Sequence, residues 1–389
     1  ALDLPATDQA PAIPEPGDGR YHGEQLDLTN INLGEYLRDV EKRRSFGPRV
    51  VLRLRGKGEV RTGPIHIKGS SLVLYFEPPE EGKERPVLVP KNAGGREALI
   101  EVEGGSCEIV GGKIRFPNAR NLPVPQYVVK VQGGHLYVVG CHVEGSLDQA
   151  PNSYRGLVYF SGSGEPAPDQ AQECALADSI LLSGLSCVHI ANAGTRLRIQ
   201  NCALVSATEA FYLEPGSASA EKLNTQCILE RNTITARHAA FRVADAAKPP
   251  SPIDPLVVQA KGNVFLDLFK DQQRRAGLLT YEGESLSHGL MVWQGEGNVY
   301  DKQFQFYAAP HDQPLANAPQ PSAKWSQLWG SLGDRRMTVI DPAVRALDPT
   351  NLQLERLAVP ELSSRQTNRG PVPGADLEQL GIVKKSRKK

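Results

Sequence analysis

Seven positions fall into step along the chain: Gly111, Gly140, Asp178, Asn201, Asn232, Asn263 and Asn298. Each is a turn residue set between two stretches of alternating apolar residues. Their contexts are EIVGGKIRF, YVVGCHVEG, LADSILLSG, RIQNCALVS, LERNTITAR, QAKGNVFLD and GEGNVYD, and the intervals are 29, 38, 23, 31, 31 and 35 residues. A period that holds near this length and swells by loop insertion is the mark of a solenoid of stacked β coils. Gly, Asp and Asn tolerate left-handed backbone angles, so the seven mark one sharp corner repeated coil after coil. Successive Asn amides in such a stack can hydrogen-bond to one another along the axis.

The repeat occupies the middle of 389 residues without a change of character, which predicts one elongated domain of about nine or ten coils. Lys plus Arg (44) balances Asp plus Glu (44), so no general attraction to nucleic acid or to an anionic surface is expected. The longest apolar runs are strand-length, which predicts no membrane span. Cys141 and Cys202 each follow a corner residue two coils apart, roughly 9.6 Å at strand spacing and too far for a disulfide. Cys107, Cys174 and Cys227 stand four or five residues before the corner, again two coils apart, so free buried thiols are expected.

Three segments follow. Residues 1–31, opening ALDLPATDQAPAIPEPGDG, read as a linker of the kind left by processing or by excision from a longer protein. Residues 32–303 carry the coils, headed by a helix that would cover the open end of the core. Asn32 is its cap, Glu35 its capping-box partner, Leu33, Tyr36, Leu37 and Val40 its apolar face, and Gly47 and Pro48 its stop. Residues 304–389 lose the period. Trp325, Leu328, Trp329 and Leu332 predict an amphipathic helix packed on the barrel or its end, the remainder wraps the outside, and the tail Lys384, Lys385, Arg387, Lys388, Lys389 reads as a disordered, solvated basic run.

One strand class aligns between the corners: LVYF (157–160), VHIA (188–191), AFYL (210–213), AFRV (240–243) and LLTYE (278–282). If Val188, Ile190, Phe211, Leu213, Phe241 and Val243 point inward, the period of two throws His189, Tyr212 and Arg242 outward, with Tyr159 and Thr280 in the same column. Glu214 and Glu282 lie two residues further along that face. The polar insertions Ser161 to Glu173, Ser217 to Glu221, Ala244 to Pro255 and Lys270 to Gly277 are expected to be surface loops along one side of it.

An end-capping helix, an Asn corner and alternating strands together resemble the pectin-lyase-like right-handed parallel β-helix over roughly residues 33 to 303. The resemblance implies an all-β fold, a single right-handed parallel β-helix with an N-terminal capping helix and an irregular C-terminal segment. Asp341, Pro342, Leu352, Leu354 and GPVPGADLEQLG (370–381) resemble the closing segment of bacterial extracytoplasmic β-helix proteins. LVLYFEP (72–78), ALIEVEGG (98–105), YRGLVYFSG (154–162) and GLMVWQGEGNVYD (289–301) look like β-helix regions that follow a Ser/Thr kinase domain and membrane span in some bacteria. That resemblance implies a sensor region outside the cytoplasm. The chain has no Gly-rich phosphate loop before a VAIK-type lysine and no HRD or DFG tripeptide, so it carries no kinase chemistry.

The hydrolases of this fold place Asp in NTD, DD and GHG motifs, which do not occur here, and the lyases' closely spaced Asp cluster for Ca²⁺ is also missing. Tyr159, His189, Tyr212, Glu214, Arg242 and Glu282 therefore form the candidate ligand-binding set. Aromatic faces stack on sugar rings, Arg pairs with a uronate, and His or Tyr can move a proton. The competing reading is an ordinary outward strand face, which must carry polar and aromatic residues in any case. His288 has no second His or Cys at ligand spacing, so no metal and no cofactor are expected. GEGN (295–298) is a turn rather than a phosphate loop, and ERNTI lacks the sequon hydroxyl at Ile234. The sequence thus predicts a monomeric, non-catalytic recognition, sensor or scaffold domain outside the cytoplasm that binds a polysaccharide or envelope glycan. The alternative is a polysaccharide lyase acting on acidic glycans.

Overall fold

The computed structural model describes residues 22–43, 47–78, 85–91, 95–116, 125–145, 154–162, 172–191, 195–214, 225–245, 256–269, 277–283, 291–304, 306–311, 325, 329, 333–341, 354–358 and 372–383. Within them the strands form three all-parallel sheets of 11, 10 and 9 strands, here called A, B and C. Each turn of chain visits them in that order. Cys107–Val110 lies in A, Lys113–Arg115 in B and Tyr127–Gln132 in C, and the next turn repeats the path with Leu136–Val139, His142–Glu144 and Gly156–Ser161. Nine such turns are complete among the described residues, and strands in A and B extend the stack at its ends. The fold is an all-β parallel β-helix.

Its corner between A and B consists of two adjacent columns. Gly111, Gly140, Asp178, Asn201, Arg231, Gly262 and Gly297 have positive φ, from 48° to 70°. Asn232, Asn263 and Asn298 each follow that position and point inward, fully buried. The sequence-derived ladder therefore slips by one residue between Asn201 and Asn232. Asn201 belongs with Asp178 on the outside of the corner, where its Nδ2 donates to Asp178 Oδ1 at 2.6 Å. The continuous amide ladder is Asn232–Asn263–Asn298. The N–H of Cys202, Asn232 and Asn263 donates to the Oδ1 of the Asn one coil on, each at 2.9 Å. Each Nδ2 donates back to a carbonyl, of Ile199, Leu229 or Ala260, and across to the next acceptor. Asp334 ends the series, accepting from Asn298 Nδ2 at 2.8 Å and from the Tyr300 hydroxyl. Only glycine fits at Gly295 beneath it, since a Cβ there would lie 2.4 Å from Asp334 Cγ.

The interior follows the alternation of A. Cys107, Leu136, Cys174, Leu197 and Cys227 occupy one inward column in successive coils, so each of these thiols is separated from the next by a leucine layer. All six cysteines are free and buried. Burial raises their pKa, that of Cys141 and Cys202 to about 12. Towards the far end aromatics fill the barrel: Phe211 stacks on Phe241 at 4.8 Å and Phe265 on Tyr300 at 5.2 Å. Both ends are closed. Helix α1, Leu33–Arg43, puts Leu33 and Leu37 into the core, and Asn32 Oδ1 accepts from Glu35 N–H at 3.4 Å and from Gly63 N–H at 2.9 Å. The Glu35 carboxylate pairs with Lys91 at 3.6 Å rather than completing a capping box. At the other end Trp325 is buried edge-on against Trp293 at 5.2 Å and Trp329 packs on Trp325.

Residues 24–30, read from sequence as linker, belong to the fold. Glu24–Asp27 pairs with the first full coil, and Leu26 and Leu28 enter the core. Beyond residue 303, Phe306–Pro310 extends C, Asp334–Arg335 extends A and Thr338–Ile340 extends B. Residues 372–383 return along the outside of B. There Val372, Leu377, Leu380, Ile382 and Val383 pack with Leu357 on an apolar face that includes Ile180, Leu182, Val205, Val264 and Leu266. Asp376 N–H donates to Asn201 Oδ1 at 2.6 Å and Gln379 Nε2 to Asp178 Oδ1 at 3.2 Å, so the outer corner holds the returning segment. Leu328, Leu332, His288, the basic tail, residues 1–21 and most of the four expected surface loops lie outside the described residues. No helix among the described residues is long and apolar enough to cross a membrane.

Two outcomes test this packing. Thiol titration in denaturant should find six free thiols, and fewer than one should react in the native state. Asn263→Ala strands the Asn232 N–H and the Leu229 carbonyl, and should lower stability by about 3 kcal/mol in urea unfolding.

Candidate functional site

Sheet C departs from strict alternation in seven successive coils, from the strand Ala98–Glu103 to the strand Gly277–Tyr281. Leu99–Ile100, Val128–Val129, Leu157–Val158, Cys187–Val188, Ala210–Phe211, Ala240–Phe241 and Leu278–Leu279 are consecutive pairs that both enter the core. The strand ladder omits one partner at each of these places. Two neighbours turned the same way force a local bend, as a bulge does. The residues before the doublet and those after it then flank a shared outer face. The leading column includes Tyr127, Gly156, Ser186, Glu209, Ala239 and Gly277, none of them in the core cluster. The trailing column runs His66, Glu101, Lys130, Tyr159, His189, Tyr212, Arg242, Thr280.

All six sequence-derived candidates lie on this face and touch one another. The His189 ring lies 4.9 Å from that of Tyr159 and 4.7 Å from that of Tyr212, and the Arg242 guanidinium sits 5.0 Å above the Tyr212 ring. Glu214 Oε1 is 3.3 Å from His189 Nε2. Glu282 Oε1 accepts from both Arg242 Nε, at 2.8 Å, and Arg242 Nη2. The sequence reading missed several members. Tyr127 crosses from the leading column to place its hydroxyl 2.9 Å from His189 Nδ1. Lys130 is nearly buried and held by Glu97 and Glu101. Glu209 is 7% exposed and its Oε1 lies 3.0 Å from His238 Nδ1, and the His311 ring meets the His238 ring edge-on at 5.5 Å.

The electrostatics are those of a face whose charges are already matched. The His189 imidazole, 3.3 Å away, holds the Glu214 carboxyl below its ordinary range, against the effect of burial. Burial pushes Glu209 up, but the hydrogen bond and charge of His238 together with Arg242 outweigh it, and the net shift is downward. Burial would lower Lys130, yet Glu97 and Glu101 raise it overall. Tyr212 is pushed up to about 12 by burial, and Tyr127 and Tyr159 are raised for the same reason. The phenols therefore stay protonated at neutral pH and can donate hydrogen bonds.

Among the described residues two groups bring three metal-capable ligand atoms within 4.8 Å of one another, although the sequence pattern pointed to none: Glu209, His238 and His311, and His66, Glu101 and Glu103. In the second, Lys68, Lys130 and Arg96 stand 3.7, 3.3 and 3.8 Å from the carboxylates, so cations of the chain already occupy the place of an ion. No protein-family model matches the chain, and neither does any curated protein or solved structure.

Because Glu209 and Glu214 titrate low when folded, they stabilise the fold above the ordinary carboxylate value of 4.5, and this contribution is lost as pH falls through their lowered values. Replacing both with Gln should flatten the acid limb of a stability–pH profile measured by thermal unfolding below that value, leaving the slope above neutral pH unchanged.

Proposed function

We propose that the chain binds a carbohydrate polymer along the outer face of sheet C and does so without converting it. The observation that supports this most strongly is the trailing column itself, in which Lys130, Tyr159, His189, Tyr212, Arg242 and Thr280 follow one another in six successive coils. Five steps of ~4.8 Å make a strip of about 24 Å, long enough for several sugar rings. Tyrosine rings offer apolar area to sugar C–H faces, while phenols, carboxylates and a guanidinium offer hydrogen bonds to hydroxyls. The rings pack against each other and the ionic groups are pinned in pairs, so little side-chain freedom is lost on binding.

The ligand class that suits these charges is a neutral glycan. Lys130 and Arg242, the cations a uronate would need, are engaged by Glu97, Glu101 and Glu282. Glu97, Glu101, Glu209, Glu214 and Glu282 also outnumber Lys130, Arg96 and Arg242 across the face. An acidic polymer would meet net repulsion, and the raised phenols do not favour the proton abstraction a lyase requires. In this proposal the β-helix is of the pectin-lyase-like kind and works outside the cytoplasm as the ligand-facing region of a receptor-like Ser/Thr kinase, an assignment supported by the sequence resemblances of 72–78, 98–105, 154–162 and 289–301.

Affinity electrophoresis against neutral and uronate polysaccharides tests the central claim. The native chain should be retarded by at least one neutral polymer. Tyr212→Ala should weaken that binding about tenfold, or ~1.4 kcal/mol. Unchanged binding in Tyr212→Ala and Tyr159→Ala, or a rise in unsaturated-product absorbance on incubation with a uronate polymer, would overturn it.

A further inference from the structure

We propose that Glu209, His238 and His311 form a binding site for a divalent first-row transition-metal ion beside the outer face of sheet C. The inference does not depend on the glycan reading.

The three residues come from three coils. Glu209 opens the strand Glu209–Glu214, His238 immediately precedes Ala239–Val243, and His311 follows Phe306–Pro310. The fold brings their ligand atoms to within 4.8 Å of one another. Two nitrogens and one carboxylate oxygen around a tetrahedral ion at 2.0–2.2 Å would be about 3.4 Å apart. The His238 Nδ1 to Glu209 Oε1 distance is 3.0 Å, close to that spacing, and the His311 ligand atom lies within 4.8 Å of both. In the leading column the register partners of Glu209 in the next two coils are Ala239 and Gly277, so small side chains lie beside the carboxylate where the imidazoles converge.

A hydrogen-bonded His–Glu pair would account for His238 and Glu209 alone. The pair does not include the imidazole of His311, 73 positions further along the chain, which sits edge-on against His238 at 5.5 Å and adds a third ligand atom to the group. A carboxylate this deeply placed needs positive charge nearby. Arg242, whose charge also acts on Glu209, is hydrogen-bonded to Glu282. His238 supplies charge only when protonated, whereas a metal supplies it while both imidazoles are neutral. Imidazole nitrogen with a single carboxylate selects ions such as zinc, nickel or iron(II) over calcium and magnesium, which require more oxygen ligands. Three protein ligands leave room for water or a ligand hydroxyl at the ion.

The test uses the full chain, stripped with chelator and dialysed against zinc chloride and then against metal-free buffer. The native protein should retain one zinc per chain and none of a calcium control. His311→Gln and His238→Gln should each weaken zinc binding at least tenfold with an unchanged circular dichroism spectrum. Cobalt(II) should give the intense visible absorption of a four-coordinate site in the native chain and lose it in His311→Gln. The chain has eight histidines, so adventitious binding is the competing result. The proposal fails if the native chain retains no zinc, or if the double His238→Gln, His311→Gln variant retains as much zinc and the same cobalt spectrum.

Discussion

In a parallel β-helix the backbone groups of each coil are satisfied by the coils above and below, and every other feature of this chain depends on that stacking. The ladder hydrogen bonds of sheets A, B and C join residues at sequence separations near the repeat length, in the coils above and below. The corner is where such an arrangement is most vulnerable, because the chain turns and the sheet ladder is interrupted. Here the buried amides of Asn232, Asn263 and Asn298 bridge the gap: each side chain accepts from the N–H of the coil before it and donates back to a carbonyl there. A buried amide with its donors and acceptor used is a source of register specificity, since a slip of one residue would leave several polar groups without partners. The stack must also end. Leu33 and Leu37 at one end and Trp325 at the other cover apolar layers that have no further coil to meet.

Much of this was legible in the sequence because solenoids repeat their constraints. Gly111, Gly140, Asp178 and Asn201 were read correctly as left-handed corner positions. The slip at Asn232 has a definite cause: the corner residue of that coil is Arg231, at φ 53°, a residue with no particular tolerance for that region. Asn serves two separate roles here, a left-handed corner residue at Asn201 and an inward amide at Asn232, and residue type alone does not separate them. The glycines of AKGN and GEGN, at Gly262 and Gly297, held the signal, since each occupies the corner directly before a ladder Asn. The cysteine register was recoverable for a similar reason: an inward column alternating Cys and Leu keeps thiols two coils apart whatever the loops do.

The candidate face was half legible. Strand alternation placed Tyr159, His189, Tyr212 and Arg242 in one outward column, and the registers agree. Alternation also concealed the other half. The inward doublets reset the period within each strand of C, so Glu209, which strict alternation would pair with Phe211 and Leu213 on the inside, lies outside. Tyr127 was hidden in the same way. His311 lay past the end of the recognisable repeat, where there was nothing to align it with. A pair of adjacent apolar residues recurring at one place in consecutive coils, as in Val128–Val129 and Leu157–Val158, was the available sign of the bend.

The division of labour among the three sheets follows from where the chain's later residues go. The outside of B is apolar and covered by 372–383, whereas the outside of A is mixed, one column running Val73, Glu108, Tyr137, Ala175, Arg198, Ile228 and Gln259. Sheet C alone combines a bend, two outward columns and rings packed edge to face. Its permanent cations are matched before any ligand arrives: Arg242 with Glu282, Lys130 with Glu97 and Glu101. Such pairing weakens the long-range field of the face and fixes the positions of its donors and acceptors. A surface built this way discriminates by the geometry of hydrogen bonds and ring contacts rather than by net charge, and its binding should depend only weakly on salt. The balance shifts where a carboxylate faces imidazole, at Glu214 beside His189 and at the Glu209 end, where a buried carboxylate faces two such rings, groups whose charge depends on pH or on a bound ion.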